Sequence, residues 1–156
     1  MIYLLRHAHA GNKKRWSGPD DRRPLSVTGR REAAGLVTLL RDRPIATILS
    51  SPALRCEQTV RPLAERRGLP VGLDDRLDVA ADLDDAAKLL RPDLGDVLLC
   101  SHGQLIGQLI GLLQERGAPI DQDARWPKGS TWLLRFSGDR VAEATYLPPP
   151  PAPPSP

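Results

Sequence analysis

At 156 residues the chain has the size of one domain, long enough to bury roughly two-thirds of its unfolded surface without disulfide or metal staples. Two cysteines exclude a disulfide framework, no apolar run approaches the ~20 residues of a bilayer span, and no leader pattern opens the sequence, so a soluble cytoplasmic protein with no membrane partner is expected. Net charge is +3, and of 22 basic residues only Lys13, Lys14, Lys88 and Lys128 are lysines, leaving 18 arginines spread along the chain; one aromatic, Trp16, lies among basic neighbours, which argues against a nucleic-acid partner.

Ile2 to Leu5 is an apolar run that reads as a buried strand and ends abruptly in Arg6 and His7. A long basic loop follows, and then Ala33, Leu36, Val37 and Leu40 recur at helical spacing behind Ser26 or Thr28 as a start signal. Ile45 to Leu49 is a second strand. Ser51-Pro52 reads as an N-cap with proline at the first helical position, and Cys56, Val60, Leu63 and Ala64 form the apolar stripe of a helix that stops at Gly68. Val71 to Leu73 fits a short edge strand and Asp84 to Leu90 a short helix.

Asp96 to Ser101 holds Val97-Leu98-Leu99-Cys100, the continuous apolar run of a strand covered on both faces, and Leu105 to Leu113 is a strongly apolar helix ending near Gly117. Thr131 to Phe136 and Arg140 to Tyr146, joined by Ser137-Gly138-Asp139, read as a closing hairpin. The alternation predicts an α/β fold, a three-layer α/β/α sandwich with a mostly parallel sheet over residues 1–147, followed by a Pro-rich disordered tail over 148–156.

Arg6-His7, Ser50 to Arg55 and Ser101-His102-Gly103 fall at the carboxyl ends of predicted strands or the starts of the helices that follow. In a parallel sheet those ends share one edge, where open α/β folds bind ligands, so Arg6, His7, Arg55 and His102 are expected to converge. Such a set suits phosphoryl transfer. A neutral imidazole nitrogen attacks phosphorus in line, while arginines and helix amino termini neutralise the equatorial oxygens, without a cofactor or metal. The alternative, a zinc site made by His7, His9 and His102, lacks a fourth histidine or a cysteine pair at ligand spacing. His9 is read instead as lining of the site's mouth. Lys13, Lys14, Arg15, Arg22 and Arg23 form either a solvated charge run or a basic rim for anionic substrates.

With these residues in order, the chain resembles the histidine phosphatase superfamily, also called phosphoglycerate mutase-like. Arg6-His7-Ala8 looks like its opening motif, Pro24-Leu25-Ser26-Val27-Thr28-Gly29 its leucine-threonine-x-x-glycine turn, Ser50 to Thr59 its serine-proline-x-x-arginine-x-x-x-threonine segment, and Ser101-His102-Gly103 its second histidine motif. The short length and the Arg-His-Ala opening look like the small SixA branch of phosphohistidine phosphatases. The segments Lys13 to Leu25 and Lys128 to Trp132 also look like the phosphatase half of certain actinobacterial Nudix fusion proteins, which act on nucleotides.

The resemblance implies a phosphatase in which His7 becomes phosphohistidine and Arg6, Arg55 and His102 complete the phosphate pocket, with Lys13, Ser17, Gly103, Lys128 and Ser130 as substrate contacts. The implied partner is a phosphorylated small molecule, a nucleotide or a phosphoprotein. Members with a proton donor carry a glutamate after the third strand in a leucine-x-glutamate setting; here Leu77-Asp78-Val79 places valine there. Asp78, Asp82, Asp84 and Asp85 are the substitute carboxylates, Asp78 foremost, each with a shorter reach. Without an acid, good leaving groups such as phosphohistidine or an anhydride are favoured. Two rival readings stand beside this one: a non-catalytic phospho-ligand binding module, and a phosphoglycerate-type mutase, for which the interval from Gly68 to Asp96 is short of lid insertions. Trp16 and Trp126 are candidates to stack a nucleobase at the mouth. Oligomeric state is left open.

Overall fold

The structure is a computed structural model and describes residues 1–151. Among the described residues six strands form one sheet: β1 (Ile2–Arg6), β2 (Thr47–Ser50), β3 (Val71–Leu73), β4 (Val97–Ser101), β5 (Thr131–Ser137) and β6 (Arg140–Leu147), in the order β3-β2-β4-β1-β5-β6. β3, β2, β4 and β1 run parallel, and the closing hairpin of β5 and β6 adds antiparallel to β1. The expected α/β sandwich with a mostly parallel sheet is therefore the observed one, and Val71 to Leu73 is its edge strand.

Side-chain alternation along the central strands divides the core into two layers. Tyr3, Leu5, Ile48, Leu98 and Cys100 face α1 (Val27–Leu39) and α2 (Leu54–Arg67), while Ile2, Leu4, Val97 and Leu99 face α3 (Leu83–Ala87) and α4 (Gly103–Glu115). β4 is buried at all five positions because helices cover both its faces.

α1 starts at Ser26, whose Oγ accepts from the Gly29 amide at 3.0 Å. α2 starts later than the proline signal predicts. Its N-cap is Ala53, which makes no side-chain cap, and the Ser51 hydroxyl is taken up instead by the site. Gly68 ends α2 in the left-handed conformation at φ 65°, as the sequence indicates. α3 is shorter than expected, running from an Asp82 cap to Ala87.

The expected proline tail lies outside the described residues from 152 onward. Before that point Pro150 is buried against α1, where a Cβ on Gly35 would come within 2.6 Å of the proline ring. No helix among the described residues is long and apolar enough to cross a membrane.

Candidate active site

The carboxyl ends of β1, β2 and β4 and the starts of α2 and α4 enclose a pocket of about 610 Å³, whose walls include Arg6, His7, Arg55, His102 and Gly103. The four residues expected to converge do so. His7 is placed by backbone pairing on both sides: its amide donates to Ser101 O at 3.0 Å, and its carbonyl accepts from the Gly129 amide at 3.1 Å.

The ring of His7 has a defined tautomer. Nδ1 lies 2.7 Å from the Ala8 carbonyl, which can only accept, so Nδ1 carries the proton and Nε2 keeps its lone pair. Burial, above all, pushes the ring down to about 3; the Ala8 bond opposes that shift, and the nearby His102, Arg55 and Arg6 charges reinforce it. At neutral pH His7 is thus an uncharged base.

His102 meets His7 edge-on, with ring centroids 5.4 Å apart and planes at 67°. Its Nδ1 lies 3.2 Å from Arg55 Nη2, a group that can only donate, so the His102 proton sits on Nε2 and points at Ser51 Oγ, 2.9 Å away. Ser51 is fully buried, and its hydroxyl is fully used: it accepts from His102 Nε2 and from the Ala53 amide at 3.2 Å, and donates to Asp78 Oδ1 at 3.5 Å. Asp78 is brought there because Ser101 Oγ, at the end of β4, donates to Leu77 O at 2.7 Å.

The two arginines are buried differently. Arg6 Nη1 donates to Trp126 O at 3.1 Å, and its guanidinium lies over Gly103, where an added Cβ would fall 2.6 Å from Arg6 Cζ. Burial lowers its pKa from the usual arginine value. Arg55 is 4% exposed and gives Nη1 to Asp20 O at 2.8 Å and Nη2 to Asp20 Oδ2 at 3.2 Å. The Nε atoms of both arginines are buried without a partner.

Two further motif residues act as braces. Thr59 Oγ1 accepts from the Ala8 amide at 3.0 Å and donates to Arg55 O at 2.6 Å, tying α2 to the segment after His7. Gly29 allows α1 to press on that segment, since a Cβ there would lie 1.9 Å from His9 O.

Residues 2–78 match the histidine phosphatase superfamily (branch 1). Over 157 aligned residues the chain is 34% identical to an 8-oxo-(d)GTP phosphatase of Mycolicibacterium smegmatis, covering 96% of this chain and 48% of that protein. The chain belongs to the histidine phosphatase superfamily. It spans about half the length of that curated relative. Its fold is shared with the protein histidine phosphatase SixA in complex with tungstate, at a TM-score of 0.71 and 23% identity over 94% of this chain and 93% of that one. A mycobacterial glucosyl-3-phosphoglycerate phosphatase with inorganic phosphate superposes at 0.67 and 22% identity, covering 97% of each chain.

In this member of the superfamily several expected contacts lie away from the pocket wall. Ser130 is buried and its Oγ donates to Pro127 O at 2.6 Å, while its carbonyl accepts from the Arg6 amide, so it shapes the backbone rather than offering a hydroxyl. Lys13, Ser17 and Lys128 are exposed and outside the wall. Gly103 is in it. His9 turns to the start of α1, with Nδ1 2.6 Å from Ser26 Oγ and accepting from the Gly11 amide at 3.3 Å, and does not line the pocket.

Of the four aspartates, Asp82 caps α3, Asp85 pairs with Lys88, and only Asp78 meets a residue of the pocket, with Oδ1 3.8 Å from His102 Nε2; Asp84 has its amide on the Asp82 cap. Val79 lines the wall at the place where the resemblance puts a glutamate. Trp126 lines the pocket over Gly107, whose added Cβ would meet the indole at 2.6 Å, whereas Trp16 borders a separate hollow with Arg15 and Arg23. Asp20, Gln104 and Gln108 were not singled out by the sequence. An acidic pair inside a basic loop, and two glutamines one turn apart directly after a histidine motif, are the signals that mark them.

Proposed function

We propose that the chain hydrolyses phosphoanhydrides of nucleotides in two steps through a phosphorylated His7. One observation carries the reading: Arg6 and Arg55, each with a buried Nε donor that has no partner, line a pocket whose histidine offers a basic Nε2. Buried polar groups without partners are rare, and a phosphoryl group supplies two acceptors at once.

His7 Nε2 forms a bond to phosphorus as the bond from phosphorus to the leaving oxygen breaks, and the Nδ1 proton stays on its hydrogen bond to Ala8 O, which holds the imidazolium charge. Arg6, Arg55 and the amide end of α4 neutralise the equatorial oxygens. Water then attacks phosphorus, the P–N bond breaks, Nε2 recovers its lone pair, and the water proton passes to solvent. The charge in the wall is cationic; among the described residues no group of three or more His, Cys, Asp or Glu is placed to hold a metal ion.

Leaving-group chemistry favours an anhydride. Val79 brings no proton to the wall, and Asp78 is turned to His102, with Oδ1 3.8 Å from Nε2 and accepting from Ser51 Oγ, so it positions that ring rather than protonating an alkoxide. The 8-oxo-(d)GTP phosphatase relative, aligned over 96% of this chain, supports a nucleotide. Phosphohistidine, whose P–N bond also breaks without an acid, is the second reading, favoured by the same valine.

Phosphate release from nucleoside di- and triphosphates, a phosphohistidine protein and sugar phosphates, each in EDTA and with wild type and His7→Ala, tests both readings. The expected outcome is turnover of an anhydride that falls roughly 10⁴-fold in His7→Ala. Equal turnover by the two proteins overturns the covalent route, and a preference for sugar phosphates overturns the leaving-group argument.

A further inference from the structure

Arg55 already holds an anion. Its two terminal nitrogens grip Asp20 at two points, Nη1 on the main-chain carbonyl at 2.8 Å and Nη2 on the carboxylate Oδ2 at 3.2 Å, and both are donors that a phosphoryl group uses. Asp20 opens a single turn of 3-10 helix, Asp20–Arg22, in the basic loop between β1 and α1. Its other oxygen, Oδ1, accepts from Arg23 Nε at 3.2 Å, and Arg23 Nη1 donates onward to Ala10 O at 2.7 Å. The loop is therefore fastened to the pocket through one aspartate, by its carboxylate and its main-chain carbonyl.

The fastening satisfies an otherwise unpaired buried charge. Arg55 is almost fully enclosed, whereas Asp20 is 38% exposed on its side chain and free to move toward solvent. Burial raises the Asp20 pKa, but the Arg23 bond and the Arg55, Arg23 and Lys13 charges outweigh it and hold the group below its ordinary value, so the carboxylate is ionised at neutral pH.

We infer that Asp20 is a positioning residue that acts through Arg55 as an internal competitor for the phosphoryl group, weakening the hold on phosphate and releasing the basic loop when phosphate is bound. A phosphoryl oxygen entering beside His7 takes Nη donors that Asp20 occupies in the empty pocket. Asp20 then returns as product leaves. The inference rests on the phosphate-pocket reading above.

Asp20→Asn keeps an oxygen for Arg55 and removes the charge. The inhibition constant of inorganic phosphate is expected to fall about tenfold in this variant, with kcat reduced because product leaves slowly, and Asp20→Glu is expected to restore both. An inhibition constant that is unchanged or higher in folded Asp20→Asn overturns the proposal. If Asp20→Asn does not fold, hydrogen exchange in the wild-type chain decides: saturating phosphate is expected to speed exchange at the Arg22 and Arg23 amides, which bond to Pro19 O and Asp20 O, and equal or slower exchange overturns the proposal. Failure of wild type to bind phosphate at all overturns the pocket reading and this one together, while binding of equal strength in both proteins overturns only the role of Asp20.

Discussion

His7 and His102 stand edge to face, 5.4 Å between ring centroids, yet their protons are fixed from opposite directions. The Ala8 carbonyl takes the His7 proton at Nδ1, whereas Arg55 forces the His102 proton onto Nε2. One ring is left basic toward the pocket, and the other has its proton tied to Ser51.

An unfolded histidine takes up its proton near 6.5, while His7 in the fold does so only at about 3. Between those values the unfolded chain binds more protons, so this residue makes stability fall as pH drops through the window. His7→Asn is expected to flatten the urea midpoint against pH between about 6.5 and 3, and the His7 ring in wild type is expected to give no NMR titration step between about pH 5 and 8. A step near 6.5 contradicts the assignment of His7 as an uncharged base.

Gly29→Ala tests the brace on the other side of the segment that follows His7. The methyl would sit 1.9 Å from the His9 carbonyl, a clash with backbone that no rotamer relieves. A loss of about 3 kcal/mol is expected in urea unfolding. A wild-type midpoint would show that α1 can shift away freely.

Gly103→Ala separates activity from stability. Here the added carbon meets the far end of Arg6, 2.6 Å from Cζ, so the side chain can swing aside and the fold survives within about 1 kcal/mol. The displaced guanidinium no longer faces the transferring group, and kcat/KM is expected to drop about a hundredfold. Wild-type kinetics with an unchanged melting temperature would remove Arg6 from the phosphate grip.

Asp78→Asn distinguishes a positioning carboxylate from a proton donor. Acting on His102, through Ser51 and directly at 3.8 Å, Asp78 should matter equally for good and poor leaving groups, with roughly a threefold loss for both a nucleoside triphosphate and an alkyl phosphate. A loss at least tenfold greater for the alkyl ester would make Asp78 the acid.

Much of this was legible in the sequence because it depends on local pattern. The apolar runs that end in Arg6-His7 and in Ser101-His102 fix both strand type and the edge where the site forms, and Gly68 marks a helix end by its own conformation. Ser51 shows where local pattern fails. Before Pro52 it has the form of an N-cap, but the imidazole of His102, 51 residues away, claims its hydroxyl and α2 begins at Leu54. Ser130 is misplaced for a similar reason: a polar residue at a strand start looks available to ligand until the Pro127 carbonyl takes it. The Asp20–Arg55 pair spans 35 residues between a loop and a helix, and no periodicity encodes such a contact.

β1 has no sheet partner within the first 78 residues. It pairs with β4 on one side and β5 on the other, over Val97–Ser101 and Thr131–Leu134. The stretch that carries the family signature is thus not a folding unit of its own. During synthesis β1 lacks one of its two sheet neighbours until the ribosome has released the hairpin strand some 125 residues later, so a nascent chain or a fragment ending before Thr131 leaves that edge of β1 unpaired even though it already contains His7, Arg55 and His102.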